Sequence, residues 1–124
     1  MLQYLNDARS HGVEVSSMWI QDWSGKTMTI LGTRVFWNWK WNSEWYPNLD
    51  TVIKDLDAEG VKVTAYITAH LNIDGDVYKD NANQTYWLND ENGERIFQDF
   101  GQFTVGTVDL VAPSQDSKSI NQAR

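Results

Sequence analysis

The segment PNLDTVIKDLDAEGVKVTAYI, residues 47–67, predicts a helix followed directly by a strand. Its first apolar positions recur at the spacing of one helical face: Leu49, Val52, Ile53 and Leu56. Gly60 predicts the end of the helix, and the β-branched run Val61–Ile67 predicts a strand immediately after it. Helix, glycine and short strand form the second half of a strand–helix–strand unit, so the segment predicts a parallel sheet and an α/β fold.

The start of this helix is predicted at Pro47-Asn48. Asn48 has a side chain that suits an N-cap, because its oxygen can accept a hydrogen bond from a free backbone N–H of the first turn. Asp50 places a negative charge near the positive end of the helix dipole. Both residues therefore favour a helix that begins at this point.

Upstream, the run VEVSSMWI, residues 13–20, predicts the first strand. A short helical stripe precedes it, and Gly12 predicts the end of that helix. The stripe consists of Leu2, Leu5 and Ala8. Residues 21–45 are predicted to form a long loop with a short hairpin arm at Thr27–Ile30.

The segment after the second strand, residues 68–103, is predicted to be a long connection between core strands. Further elements are predicted in this order: a helix at Asp76–Leu88, a hairpin turn at Asn89–Gly93 between Tyr86–Leu88 and Arg95–Phe97, a third core strand at Thr104–Val111, and a helix that starts at Pro113.

About three parallel strands result, whereas a (β/α)8 barrel needs eight strands and about 250 residues. Since unpaired apolar strand edges are avoided, we interpret residues 1–124 as an incomplete domain, the N-terminal part of a (β/α)8 TIM barrel.

Composition excludes several classes of function. The formal net charge of −7 disfavours nucleic acid and anionic membrane surfaces as partners, and no apolar run is long enough for a membrane span. Cysteine is absent, which excludes disulfides and thiolate metal sites and is typical of a cytoplasmic protein. The sequence has neither metal-ligand spacing nor a glycine-rich phosphate loop, so we expect no cofactor.

Tryptophan is concentrated in one segment, WIQDWSGKTMTILGTRVFWNWKWNSEW, residues 19–45. It holds six of the seven tryptophans of the chain: Trp19, Trp23, Trp37, Trp39, Trp41 and Trp45. Indole offers an apolar face and one N–H donor, which suit a sugar ring and its hydroxyls. The segment also follows a predicted core strand, where α/β folds place their chemistry. It therefore predicts a carbohydrate site, although packing beneath the loop is the favoured explanation for Trp23, Trp39, Trp41 and Trp45.

The order of motifs resembles glycoside hydrolase family 31, the retaining α-glycosidases. The matching pieces are Trp19-Ile20-Gln21-Asp22-Trp23, Tyr46-Pro47, Gly60-Val61-Lys62-Val63, Ala65-Tyr66-Ile67, Leu88-Asn89-Asp90-Glu91-Asn92-Gly93-Glu94, Val108-Asp109-Leu110 and Ala112-Pro113. This resemblance implies hydrolysis of O-glycosyl bonds by two carboxylates. In the family both carboxylates lie C-terminal to the matched region, so no residue here is assigned as catalytic, and we expect the 124 residues alone to be inactive.

Within that family the chain most resembles the sulfoquinovosidases, which release 6-sulfonated glucose. The resemblance implies that Gln21, Arg34 and Trp37 bind the sulfosugar, and Asp22 and Trp19 at the same strand end complete the predicted substrate-binding set. A sulfonate is an anion at any biological pH, and Arg34 would meet it with charged N–H donors while the Trp37 indole adds a neutral one. Gln21 is expected to bind a ring hydroxyl.

Three alternatives remain open from the sequence. Spacing alone favours Arg34 as a surface residue that pairs with Glu44, and the family resemblance favours the sulfosugar role; in the first case the chain belongs to a neutral α-glucosidase of the same family. The tryptophan segment also suits a non-catalytic, lectin-like carbohydrate-binding module. His11 and His70 are the two histidines; His70 follows the second strand and is weak evidence for a site.

Overall fold

The computed structural model describes residues 2–111, so the helix predicted from Pro113 lies outside the described residues. The chain separates into two compact units, which are treated one at a time. Unit 1 comprises Met1–Trp23 and Trp41–Tyr66, and unit 2 comprises Ser24–Lys40 and Ile67–Arg124. In chain order the described elements are α1 (Leu2–Ser10), β1 (Ser17–Ile20), β2 (Lys26–Thr29), β3 (Gly32–Val35), α2 (Leu49–Ala58), β4 (Lys62–Ala65), β5 (His70–Asn72), α3 (Asp76–Asp80), β6 (Phe97–Asp99) and β7 (Thr104–Thr107).

In unit 1, β1 and β4 pair in parallel, with Ser17 opposite Lys62 and Ile20 opposite Ala65. The predicted parallel pairing is therefore confirmed, although each strand is shorter than its apolar run. The backbone N–H of Tyr66 donates to Ile20 O at 2.9 Å, which continues the pairing past the carboxyl end of β1. Buried Leu5, Leu56 and Val61 form the core that joins α1, α2 and β4.

The structure confirms the predicted features at the two ends of α2 only in part. Asp50 lies in the first turn as predicted, and Gly60 closes the helix with a φ of 80°, a backbone conformation that glycine adopts without strain. Asn48 occupies the N-cap position of α2 as predicted, but its side chain makes no capping bond. Its backbone is left-handed, with a φ of 56°, whereas an N-cap needs extended backbone to aim its side chain at the first turn.

In unit 2, the predicted hairpin arm is an antiparallel pair, β2 with β3, in which Thr29 faces Gly32. A second sheet of the described residues has the order β5-β7-β6, and both of its pairings are antiparallel. The prediction of β7 as a third parallel strand is therefore wrong. Only residues 100–103 connect β6 to β7, and so short a connection allows antiparallel pairing alone, since parallel pairing needs a crossover.

The helix predicted at Asp76–Leu88 is also corrected, because α3 ends at Asp80. Trp87 instead bridges Val108 in antiparallel fashion, and the N–H of Leu88 donates to Thr107 O at 2.8 Å. Trp87 is 2% exposed and packs with Tyr78 and Leu71 in the core of unit 2. Trp87, with its buried indole, therefore lies in extended backbone paired with Val108, where a helix was predicted.

The hairpin turn at Asn89–Gly93 is confirmed. The N–H of Asp90 donates to Glu94 O at 2.8 Å, and the N–H of Gly93 donates to Asp90 O at 3.0 Å. The Asp90 carboxylate accepts from the backbone N–H groups of Glu94 and Asn92, and these bonds lower the pKa of Asp90. The local turn chemistry of the sequence is therefore what forms this turn.

Two structural absences apply to the described residues. Between residues 2 and 111 no helix is long and apolar enough to cross a membrane. In the same range no three His, Asp or Glu side chains converge in a way that could hold a metal ion.

Candidate functional site

Three of the predicted site residues lie at the carboxyl end of β1 in unit 1. Trp19 is 59% exposed and meets the Tyr66 ring edge-on, with 6.0 Å between ring centroids. Gln21 is exposed, and Asp22 is half-buried. The intervening Ile20 is buried, so it anchors the strand end that carries these polar groups. The structure therefore brings Trp19, Gln21 and Asp22 together on one strand end.

Asp22 has a partner that the sequence did not reveal. The phenol of Tyr46 donates a hydrogen bond to Asp22 Oδ1. Burial, followed by this bond to a carboxylate, raises the pKa of Tyr46 to about 12. Tyr46 thus remains a neutral donor across the physiological pH range and holds the Asp22 carboxylate in one position.

Three tryptophans use their N–H groups inside the protein. In unit 1, Trp23 Nε1 donates to Tyr66 O at 2.6 Å, and Trp41 Nε1 donates to Tyr46 O at 2.7 Å. In unit 2, Trp39 Nε1 donates to Thr68 O at 2.8 Å. Each indole thereby ties its loop to backbone, which supports the packing interpretation for these three residues rather than a role in sugar binding.

Trp37 in unit 2 differs from them. Its Nε1 is buried and has no hydrogen-bond partner among the described residues. Its ring is surrounded by aromatic side chains, whose centroids lie 5.3–5.6 Å away: His70, Phe100 and Phe103. A buried donor without an acceptor costs about 1–3 kcal/mol. A hydrogen bond from this N–H to an acceptor outside the described residues would therefore be favourable.

Arg34 lies on β3 of unit 2, opposite Thr27, and is exposed. Its Nη1 donates to the neighbouring backbone carbonyl of Thr33 at 3.3 Å. Within the described part of the chain no carboxylate forms an ion pair with it, so the structure does not support the surface ion pair considered from the sequence. The remaining guanidinium donors are available to an anion.

The loop beside Trp37 is held by a polar cluster that sequence reasoning missed. Asn38, which is buried, donates from Nδ2 to Asp76 Oδ1 at 2.6 Å, and Lys40 forms an ion pair with the other carboxylate oxygen. Hydrogen bonds from Lys40 and then Asn38 lower the pKa of Asp76 to about 2. The backbone at Trp37 is fixed as well, because Asn72 N donates to Trp37 O at 2.8 Å.

This cluster predicts an acid-sensitive contribution to stability. The pKa of Asp76 is lower in the folded state, about 2, than its ordinary value of 3.8. Its contribution is therefore complete above about pH 4 and is lost as the pH falls through about 2. We expect the melting temperature of Asp76→Asn to fall less than that of wild type between these two pH values. Thermal melts at pH 2–7 measure it, with Glu91→Gln, an exposed carboxylate in the hairpin turn, as control; identical profiles for wild type and Asp76→Asn would contradict the prediction.

Residues 1–122 match the model of the glycosyl hydrolases family 31 TIM-barrel domain. The chain belongs to glycosyl hydrolases family 31. It is thus part of a family whose matched domain is a TIM barrel, and the parallel β1–β4 pair is the part of the described structure that agrees with such a barrel.

Family 31 relatives with assigned names support a narrower relationship. The chain is 46% identical over 109 residues to the sulfoquinovosidase of Escherichia coli K12 and 34% identical over 110 residues to that of Agrobacterium fabrum C58. These alignments cover 88% and 89% of the chain but only 16% and 17% of the relatives. A family 31 sulfoquinovosidase from E. rectale, solved in complex with the aza-sugar inhibitor IFGSQ, matches with a TM-score of 0.80 and 34% identity over 98% of the chain and 18% of that protein.

Proposed function

We propose that the protein containing this chain is a retaining α-glycosidase of family 31 that hydrolyses glycosides of 6-sulfonated glucose. Both curated relatives are named sulfoquinovosidases, and so is the related solved structure, which supports this substrate class. Two carboxylates about 5–5.5 Å apart perform retaining hydrolysis, and the proposal places both outside these residues. The chain therefore contributes substrate recognition and no catalytic group.

The observation that carries the proposal is the buried Trp37 N–H without an acceptor. A sulfonate oxygen is a strong acceptor and would satisfy it, while Arg34 supplies charged donors to the same group. Because the nitrogen is buried, an acceptor reaches it only after a neighbouring ring shifts. A neutral sugar with a hydroxyl on C6 forms weaker hydrogen bonds with both groups, so the two residues favour binding of the anionic sugar.

The residues of unit 1 are proposed to bind the uncharged part of the sugar. Gln21 both donates and accepts, which suits a ring hydroxyl. Asp22, held by Tyr46, accepts from a second hydroxyl, and the exposed Trp19 offers an indole face to the apolar side of the ring.

A direct comparison of substrates tests the proposal. The full-length protein is assayed with a 4-nitrophenyl sulfoquinovoside and the matched 4-nitrophenyl α-glucoside. We expect kcat/KM to be at least about tenfold higher for the sulfonated substrate, because one charge-assisted hydrogen bond contributes about 1.5–3 kcal/mol. Equal kcat/KM values would favour the neutral α-glucosidase, and sugar binding without turnover would favour the carbohydrate-binding module.

A further inference from the structure

The β6–β7 connection of unit 2 carries two phenylalanines that meet the ring of Trp37. We call residues Phe100–Phe103 the aromatic turn. Its form is fixed by local bonds, since Phe100 N donates to Phe103 O at 3.1 Å and Gly101 N donates to Asp99 Oδ1 at 2.7 Å. Gly101 has a φ of 77°, which a side chain there would strain.

The two phenyl rings form one surface against Trp37. They stack on each other with an interplanar angle of 14°, and both meet the indole nearly perpendicularly, at 85° and 84°. The Trp37 backbone is held by Asn72, so the direction of the indole N–H depends on the side-chain torsions. The rings around the indole restrict those torsions, and two of the three belong to the aromatic turn.

The aromatic turn also contacts the hairpin that carries Arg34. The side chain of Gln102 accepts a hydrogen bond from the backbone N–H of Leu31, with 3.3 Å between the atoms. Leu31 lies in the tip that joins β2 to β3, and Arg34 is on β3. One short turn therefore contacts the ring of Trp37 and is hydrogen-bonded to the hairpin that carries Arg34, the other residue proposed to bind the sulfonate.

We propose that the aromatic turn determines sugar selectivity by positioning Trp37, with Phe100 as the principal positioning residue. The inference rests on the proposed function of Trp37. Phe100 is 46% exposed, whereas Phe103 is half-buried, so Phe100 is the ring of the turn with more room to shift when an anion approaches the buried N–H. Its loss would let the indole rotate, which weakens a directional N–H bond to sulfonate and leaves contacts to the remainder of the sugar unchanged.

Phe100→Ala in the full-length protein tests this inference. The measured quantity is the ratio of kcat/KM for the 4-nitrophenyl sulfoquinovoside to that for the 4-nitrophenyl glucoside. We expect the ratio to fall by about two- to twelvefold, the range that corresponds to one edge-to-face aromatic contact. Phe97→Ala is the matched control, because Phe97 lies in β6, is 51% exposed and contacts the ring of Tyr78 instead of Trp37. Phe103→Leu is a second variant, which replaces the other ring by a smaller aliphatic side chain and should also lower the ratio.

A double-mutant cycle shows whether the effect passes through Trp37. In a Trp37→Phe background, which lacks the N–H, we expect Phe100→Ala to leave the ratio unchanged. An equal loss for both substrates, or the same fall in ratio in both backgrounds, would overturn the inference. A wild-type ratio near one would instead contradict the proposed function, and this inference with it.

Discussion

Arg34→Ala is expected to lower kcat/KM for a sulfoquinovoside by about 10- to 150-fold, the range for loss of one charge-assisted hydrogen bond. Arg34 makes only a 3.3 Å bond to a neighbouring carbonyl and pairs with no described carboxylate, so its removal breaks little in the protein itself. The effect should appear mainly in the sulfonated substrate, and kcat/KM for the matched glucoside should change by less than about twofold. The measurement is steady-state kinetics of the full-length protein on both substrates.

Two variants separate specific recognition from general attraction. Arg34→Lys keeps the charge but loses the planar fork of donors. We therefore expect its substrate selectivity to lie between that of wild type and that of Arg34→Ala. Lys26→Ala removes another exposed cation from the same hairpin. If Lys26→Ala reduced selectivity as much as Arg34→Ala, the net charge of the hairpin rather than Arg34 would govern recognition.

Trp87→Ala is expected to lower the free energy of unfolding by about 3–5 kcal/mol, as large cavities in cores do. Trp87 is 2% exposed, and its ring lies 4.8 Å from that of Tyr78. Its Nε1 donates to Asn81 O at 2.8 Å, and the Arg95 guanidinium lies 5.1 Å above its ring. The substitution therefore removes packing, one hydrogen bond and a cation–π contact together.

Denaturant unfolding of the full-length protein measures this loss. Trp19→Ala is the matched control, since it deletes an indole that is 59% exposed and should cost less than about 1 kcal/mol. We expect Trp19→Ala to weaken sugar affinity, in keeping with the role proposed for this indole. Similar unfolding midpoints for both would show that the core of unit 2 does not depend on Trp87.

The sequence predicted the elements whose causes are local. The apolar stripe of α2, the stop at Gly60 and the strand after it required only neighbouring residues, and the hairpin turn at Asn89–Gly93 required only the side chain of Asp90 and a glycine. The resemblance to family 31 likewise depended on short motifs read in order. The roles of Gln21, Asp22, Trp19, Arg34 and Trp37 in substrate binding remain predictions.

The aromatic turn gives only a weak signal in the sequence: one phenylalanine directly precedes Gly101 and another directly follows Gln102. The partner of Asp22, Tyr46, was noticed only as part of a family motif. The cluster of Asn38, Lys40 and Asp76 left none, because Asp76 lies 38 residues from Asn38 and 36 residues from Lys40 along the chain.

By itself the sequence determined that tryptophan is concentrated after the first strand and that β1 and β4 pair in parallel. Only the tertiary structure decided which indoles serve packing, since Trp23 and Trp39 donate to carbonyls 43 and 29 residues away. It also decided the antiparallel placement of β7 and the burial of Trp87, where an extended backbone replaces the predicted helix. The physical reason is common to all of these: a hydrogen-bond acceptor or a packing partner that is distant along the chain cannot be identified from residue type and spacing, and it becomes defined only when folding brings the two groups into contact.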